Sequence, residues 1–508
     1  MGDLPDPDLR STGSLAGKGI CNVLNTALVV VRSLVLSVLV ARALGPSLQG
    51  VYSVLLYAVQ ICVQLVSLGF PSTLVRFVAR QRAAGDDAGV HAVIGYVIRR
   101  ELALGALATL LCVLLARPLA DHVAQAPAWL FLLAALAILP DSLTLAYEAG
   151  FEGLLAYETL LRVNLALIPA SLIASIAVLA LGGRIGELLV LKVILALIRV
   201  GCYRCLMRRR LPQRPVLESG QAHQIDRYTR SLSAIFLCDA VVWQRSEVLF
   251  LGLFCSRAAI AFYDIAYQVV GTTMRVLPEK LTDILFPVLS GLEQRGERER
   301  TALLYRRSVR LLFAMTLGIA VMLGAYAKLL VVLLYGQEYA PAATVITVLC
   351  AAAPVIIVAR ATAYVLYAAG WQDFNVRLAG AAAVVNILLA LVLIPRNCLV
   401  GAAVANSLTQ VLSVCVLVAY VLKRSGTSLP WGALARSLAA GCMQATVMVG
   451  VRALLDGWVL LVVGSVIGVA AYGVTLAVLG VIARDEWSAA KRWTRKRIRG
   501  KTNAGGRN

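Results

Sequence analysis

The sequence predicts an all-α, polytopic membrane protein of about fourteen transmembrane helices, built as two six-helix pseudo-symmetric lobes plus two C-terminal helices. Three observations predict it: the composition, a train of long apolar stretches, and an internal repeat. Of 508 residues, 60% are hydrophobic and only 15% charged. A soluble chain of this length does not average so apolar. An apolar helix of roughly 20 residues crosses a hydrocarbon core of about 30 Å. Fourteen such spans are expected, at 19–41, 50–70, 94–116, 128–147, 160–181, 186–201, 231–252, 258–278, 310–327, 341–360, 377–394, 400–422, 434–454 and 457–482.

The first two spans flank Leu44-Gly45-Pro46-Ser47-Leu48-Gln49-Gly50. Gly permits a positive φ there and Pro stops the first helix, so a tight transmembrane hairpin is expected. Residues 1–18 are polar and carry Pro5 and Pro7, and the first apolar run is too long for a signal peptide, so no cleavable signal is expected. With the N-terminus placed in the cytoplasm, cytoplasmic segments and their helix ends carry 38 of the 48 Lys and Arg residues. Seven fall outside, and Arg32, Lys192 and Arg245 fall within spans. That bias sets the orientation and puts both termini in the cytoplasm. The domain plan is then an N-terminus at 1–18, an N-lobe at 19–201, a basic cytoplasmic linker at 202–230, a C-lobe at 231–422, a last pair of spans within 434–482 and a basic tail at 483–508.

The two lobes resemble each other in sequence. Arg32-Ser33-Leu34-Val35-Leu36 matches Arg245-Ser246-Glu247-Val248-Leu249 at an offset of 213. Ala126-Pro127-Ala128 through Pro140 matches Ala340-Pro341-Ala342 through Pro354 at 214, and Arg162 and Gly186 match Arg377 and Gly401 at 215. A six-span repeat leaves both halves in the same orientation, related by an axis along the membrane normal, with a site expected between them near mid-membrane.

Polar residues fall in stripes. Lys18, Asn22, Asn25 and Arg32 occupy an arc of about 80° on the first span. On the second, Ser53, Tyr57, Gln60, Gln64 and Ser67 recur every three or four residues. Asp264, Gln268 and Arg275 share a face of the eighth span. The seventh puts Asp239, Trp243 and Glu247 on one face and Arg245 roughly opposite. An arginine at mid-depth is costly in lipid and faces protein or water. Its planar fork of donors matches phosphate. Arg32, Asn25, Gln60, Gln64, Arg245 and Arg275 are therefore the expected substrate-binding set, receiving a diphosphate. The acids Asp239, Glu247 and Asp264 either hold these arginines or take up a coupling proton or cation. Asn386, Asn406 and Gln410 are expected to bond neighbouring helices.

Several functions are disfavoured. The net charge of +21 follows from cytoplasmic loops rather than nucleic-acid binding. His91, His122 and His223 are scattered, Cys202-x-x-Cys205 is a lone pair, and no metal site or cofactor is expected. The eleven cysteines lie mostly in apolar runs and read as small core residues rather than disulfides. Asp86-Asp87 reads as a solvated pair. Gly13 through Gly17-Lys18 has the wrong spacing for a phosphate loop.

The order of motifs resembles the polysaccharide flippases, including the O-antigen (Wzx-type) group, of the multidrug/oligosaccharidyl-lipid/polysaccharide exporter superfamily. The residues that carry this are Leu44-Gly45 through Gly50-x-Tyr52-Ser53, Gly69-Phe70-Pro71 through Val75-Arg76, and Tyr263-Asp264-Ile265-Ala266-Tyr267. They continue with Pro287-Val288-Leu289-Ser290, Tyr335-Gly336-Gln337-Glu338-Tyr339, and Asn386 through Ile394-Pro395 with Gly401-Ala402-Ala403-Val404-Ala405. The family often has Gly three residues after that proline, where this chain has Cys398. The resemblance implies two lobes around a cationic cavity, alternating access, and transport of polyprenyl-diphosphate-linked oligosaccharide across the bacterial inner membrane for cell-surface polysaccharide. It implies membrane lipid and polysaccharide assembly enzymes as partners, and a groove for the lipid tail at the last two spans. A cation-coupled multidrug exporter of the same superfamily is one alternative. A membrane glycan polymerase or ligase is the other, and it is disfavoured by the short outer loops. The chain is accordingly not expected to be an enzyme.

Overall fold

The computed structural model describes residues 11–121, 126–210, 219–243, 245–274, 289, 291–292 and 295–481, and among these the secondary structure is helical throughout, with no strand. Eight of these helices are long and apolar enough to cross a membrane. Two of the eight are double length. Helix α1 (Ser11–Ser67) kinks at Gly45, whose φ of 72° and ψ of 170° leave the helical region just before Pro46. Arg32 and Tyr52 line one cavity, although a straight helix would set them about 30 Å apart. The halves of α1 therefore fold back on each other. Gly50 is required beside the turn, since a Cβ there would lie 1.8 Å from the Arg257 carbonyl oxygen.

The chain divides into two compact units. The first holds residues up to Thr272 with Leu334–Val345 and Val376–Thr409. After α1 come α2 (Phe70–Ala83), α3 (Asp87–Leu114), α4 (Ala116–Leu119), α5 (Ala128–Ala135), α6 (Ile138–Gly153), α7 (Tyr157–Ala180) and α8 (Ile185–Arg210). Then follow α9 (Ser219–Trp243), α10 (Glu247–Phe254) and α11 (Arg257–Met274). Helix α2 starts on Pro71, whose missing N–H costs nothing in a first turn. It buries Leu74 and Val78 and ends on Arg80 and Arg82. Its apolar face joins Ile94, Val97, Phe151, Tyr203 and Ile225 in the main core of this unit. Asp86 of the expected acidic pair caps α3, accepting from the Gly89 N–H at 2.7 Å.

Two expected spans are broken. The stretch 128–147 divides into α5 and α6 around Leu136–Ala137, because Pro140 cannot donate to the Leu136 carbonyl and its ring crowds that group. The stretch 231–252 divides around Arg245, whose φ of 60° is left-handed. For a residue with a Cβ this costs about 1–2 kcal/mol, so the surroundings must hold it.

The second unit holds Thr273–Leu333, Ile346–Asn375 and the chain from Gln410 onward. Its core is α12 (Arg298–Ala325) against two C-terminal helices. The chain between them includes α13 (Ala327–Tyr335), α14 (Ala342–Ala368) and α15 (Gln372–Ser425). The last two expected spans are α16 (Trp431–Arg452) and the run Gly457–Val478, which opens as α17 (Gly457–Val459), widens to a π turn at Leu460–Gly464 and continues as α18 (Ser465–Val478). The Tyr472 ring lies flush on Gly318, where a Cβ would come within 2.5 Å of it, and the Tyr472 hydroxyl donates to the Ala314 carbonyl at 2.6 Å. Gln444 donates to the Gly318 carbonyl at 3.1 Å.

One expectation about cysteine is corrected. Cys255 and Cys398 form a disulfide, with Cα atoms 5.9 Å apart, although both were expected as thiols. Helix α15 leaves helical geometry at Asn397 and Cys398, where φ is −129° and 36°. That turn brings the Cys398 side chain to the end of α10, a juxtaposition invisible to spacing in sequence. The positive φ at Cys398 also gives a reason for the family's preference for Gly there. On the orientation expected from the charge bias, both cysteines would face the outer side, where disulfides persist. In intact cells, a membrane-impermeant maleimide is expected to label both only after external reduction. Labelling without a reductant would contradict the bond.

Candidate functional site

The helices of the first unit line a partly open cavity of about 380 Å³. Each wall is a helical stripe. The first half of α1 gives Arg32, Ser33, Leu36, Ser37 and Val40, and the second gives Gln49, Tyr52, Ser53 and Leu56. Helix α8 contributes Leu188, Leu191, Lys192, Leu195, Ala196 and Arg199. Ser171 and Ser175 on α7, Asp141 on α6, and Asp264 and Gln268 on α11 complete it. Three cations and two carboxylates therefore face a space large enough for a charged headgroup.

The charges are engaged unequally. Lys192 is paired with Asp141 at 2.6 Å, each side chain about 28% exposed. Asp264 is paired with Arg245 and also accepts from Ser53 Oγ at 2.8 Å. Arg32 and Arg199 differ: the Nε of each is buried and has no hydrogen-bond partner. A buried unpaired N–H carries a desolvation cost of about 1–3 kcal/mol, and both guanidinium groups lie within electrostatic reach of Glu148 on α6. Gln268 donates to Ser33 Oγ and to the Ser33 carbonyl, fixing α11 on α1 beside Arg32.

The expected site residues do not gather in one place. Arg32 and Asp264 line the cavity. Arg245 stands one step behind it, bonded to Asp264 and, through Nη2, to Gln60 Oε1 at 2.9 Å, with the Tyr267 ring centroid 5.7 Å away. These contacts hold the left-handed turn in place. Asn25 accepts from Asn164 Nδ2 at 2.8 Å and ties α1 to α7 rather than facing the cavity. Gln64 is half-buried and is not part of the lining. Arg275 lies outside the described residues, and Asp239 lies in α9 with its side chain outside them.

Glu247 occupies a separate place. It is fully buried on α10. Its Oε1 accepts from Asn386 Nδ2 and Asn406 Nδ2, both at 3.0 Å, and its Oε2 from the Tyr263 hydroxyl at 3.1 Å. Asn386 and Asn406 thus bond neighbouring helices, with Glu247 as the hub. Its neighbour in sequence, Ser246, accepts a further bond from Asn386 at 3.1 Å.

A further segment packs beside the cavity. Beyond Ser37 and Val40, Tyr335 meets Ser37 at 3.4 Å, Tyr339 donates to the Ala41 carbonyl at 2.8 Å, and Arg42 Nε donates to the Leu334 carbonyl at 2.7 Å. The segment Tyr335-Gly336-Gln337-Glu338-Tyr339 therefore packs on the first half of α1.

Sequence reasoning missed three liners: Asp141, Lys192 and Arg199. The signal was present for two of them. Lys192 and Arg199 are two turns apart in the otherwise apolar stretch 188–200 of α8, which puts them on one face. Asp141 adjoins the break before Pro140 and gives no periodic signal of its own. Among the described residues no group of His, Cys, Asp or Glu could hold a metal ion.

Comparison with known proteins places this geometry. A family model described as "Polysaccharide biosynthesis protein" matches residues 39–344, more than half the chain. No individual curated protein matches in sequence. Among solved structures, the chain is similar to "Lipid II flippase MurJ, inward closed conformation" with a TM-score of 0.70 and 12% identity, over 91% of this chain and 98% of that one. It is similar to an inward-facing multidrug resistance MATE family transporter of the MOP superfamily, with a TM-score of 0.68 and 12% identity over 79% of this chain and 94% of that one. A MOP superfamily transporter from Pyrococcus furiosus, described as having a binding pocket of reverse polarity, aligns with a TM-score of 0.59 and 11% identity over 80% of this chain and 94% of that one. At these identities the likeness establishes the fold, which is that of MurJ and the MATE transporters.

Proposed function

Because the chain belongs to the polysaccharide biosynthesis protein family, we propose that it is a flippase moving polyprenyl-diphosphate-linked oligosaccharide from the cytoplasmic to the outer leaflet of a bacterial inner membrane. It would work by alternating access, for export of cell-surface polysaccharide such as O-antigen, with both termini in the cytoplasm and with polysaccharide assembly enzymes as neighbours. It would make and break no covalent bond.

One observation carries this reading: Arg32 and Arg199 present buried, unpartnered Nε donors on a cavity that also holds Lys192. A diphosphate has oxygens enough to bond both guanidinium groups and to compete with Asp141 for Lys192. Arg245 acts from behind, keeping Asp264 neutralised so that its charge does not repel the ligand. The cavity lining holds three cations against two carboxylates, both of them paired, with Glu148 behind it in electrostatic reach of Arg199 and Arg32. The surplus of cations in the lining itself is what favours an anion over the cationic drugs of the multidrug alternative.

The test is a leaflet-resolved assay in vesicles containing purified protein and a fluorescent polyprenyl diphosphate bearing one sugar. The protein is expected to equilibrate this lipid between leaflets while leaving the corresponding polyprenyl-sugar without phosphate in place. Equal movement of both lipids, or of neither, would refute the proposal.

A further inference from the structure

The cavity contains no obvious source of energy for transport, but a second buried acid lies elsewhere in the first unit. Glu101 on α3 is fully buried. Its Oε2 accepts from Ser67 Oγ at 3.1 Å, and its Oε1 has no partner at all. Among the described residues no cation pairs with it. Helix α3 packs on α1, α2, α4, α5 and α6. From α1 Ser67 faces Glu101, α4 carries only the exposed Arg117, and α5 has no ionisable residue. On α2, Arg76 lies over Tyr228 and Arg82 reaches the Leu154 carbonyl. On α6, Asp141 is taken by Lys192 and Glu148 accepts from Tyr203. Helix α9 brings Asp226, which is bound by Arg100 and Tyr96.

An ionised carboxylate in such a place would be an isolated charge in a low-dielectric interior, with half its acceptor capacity empty. The neutral acid fits the surroundings and the anion does not. Arg100, the preceding residue, is about half exposed and pairs with Asp226 rather than with Glu101.

The position also bears on the moving parts. Ser67 is the last residue of α1, and Gly69 follows with a left-handed φ of 77°. Between them, the Leu68 carbonyl accepts from Ser233 Oγ on α9 at 2.9 Å. The end of the cavity-lining hairpin is therefore held from α3 by Glu101 and from α9 by Ser233.

We infer that Glu101 is a proton-binding site, and that its loading and release drive the movement of α1 during transport. The step is Glu101–COOH ⇌ Glu101–COO⁻ + H⁺: the acid is neutral while α1 covers it and ionises when water reaches it, and the proton leaves to solvent. The coupling role rests on the flippase reading above, whereas proton binding itself does not.

Two measurements test it, on wild type, Glu101→Gln and Glu101→Asp reconstituted in vesicles. In the first, infrared difference spectra across an alkaline pH jump report carboxylic acids that lose a proton. Wild type is expected to show a carbonyl band that Glu101→Gln lacks and Glu101→Asp keeps, shifted. An unchanged band in Glu101→Gln would overturn proton binding, whatever the substrate. In the second, flipping of the fluorescent polyprenyl diphosphate sugar is followed with and without a pH gradient. One coupled proton can bias the distribution up to about tenfold per pH unit. Wild type and Glu101→Asp are expected to respond to the gradient, and Glu101→Gln to flip at a rate independent of it. A full gradient response in Glu101→Gln, or none in wild type, would overturn the coupling. Failure of wild type to flip the lipid at all, with the infrared result intact, would instead overturn the flippase reading.

Discussion

Arg32→Ala is expected to lower flipping of a polyprenyl-diphosphate sugar by about ten- to a hundredfold while leaving the protein folded. The magnitude follows from the charge-assisted hydrogen bond that the substitution removes. A hydrogen bond to a charged partner contributes about 1.5–3 kcal/mol, and each 1.4 kcal/mol is about tenfold. Stability is spared because the Arg32 Nε has no partner to lose, so its removal orphans no other group. Arg199→Ala is expected to behave in the same way, since its Nε is buried and unpartnered on the same cavity. Arg32→Lys keeps the charge but loses the fork, and should recover part of the activity. Flipping rates from the leaflet-resolved assay, with melting in detergent as the control for folding, would check all three. A variant that melts early would show that Arg32 is structural instead.

Glu247→Leu is expected to have the opposite signature: a large loss of stability, of about 3–5 kcal/mol, with activity lost because little folded protein remains. Three donors converge on this fully buried carboxylate, from Asn386, Asn406 and Tyr263. Removing the acceptor leaves them buried and unsatisfied, which costs more than the bonds themselves contribute. The corollary separates this account from a simple volume effect. The combined variant Glu247→Leu/Asn386→Leu/Asn406→Leu removes two of the three donors along with the acceptor, and is expected to be more stable than Glu247→Leu alone. Thermal unfolding of the purified variants measures this. A triple variant no more stable than Glu247→Leu would contradict the hub.

The residues divide by how openly the sequence displays their roles. The hairpin at Gly45-Pro46 is legible because both residues act on their own backbone, and the structure shows the kink there. The stripe Ser53, Tyr57, Gln60, Gln64 and Ser67 is legible as one face, but its members serve different ends. Ser53 bonds Asp264 at the cavity, Gln60 holds Arg245, and Ser67 bonds Glu101 on α3. Periodicity reports which residues share a face and is silent about which neighbour each one meets. Arg245 shows a second limit. As part of a continuous helix it would lie opposite Glu247, whereas the left-handed turn redirects it to Gln60 and Asp264. Nothing in the local composition signals that turn, which is held by groups distant in sequence. The Cys255–Cys398 bond is hidden for the same reason, because 143 residues separate its ends. Lys192 and Arg199 were legible and overlooked: a charged pair two turns apart within an apolar run marks a wet face as clearly as Arg32 does.

The central claim is that cavity guanidinium groups recognise a diphosphate, and equilibrium binding tests it most directly. A short-chain polyprenyl diphosphate and the alcohol of the same chain would be titrated against purified protein in lipid nanodiscs, at low and high salt. The account predicts that wild type prefers the diphosphate by at least about tenfold, that added salt weakens this preference, and that Arg32→Ala/Arg199→Ala abolishes it while binding the alcohol as before. Equal affinity of wild type for the two lipids, or an undiminished preference in the double variant, would contradict it.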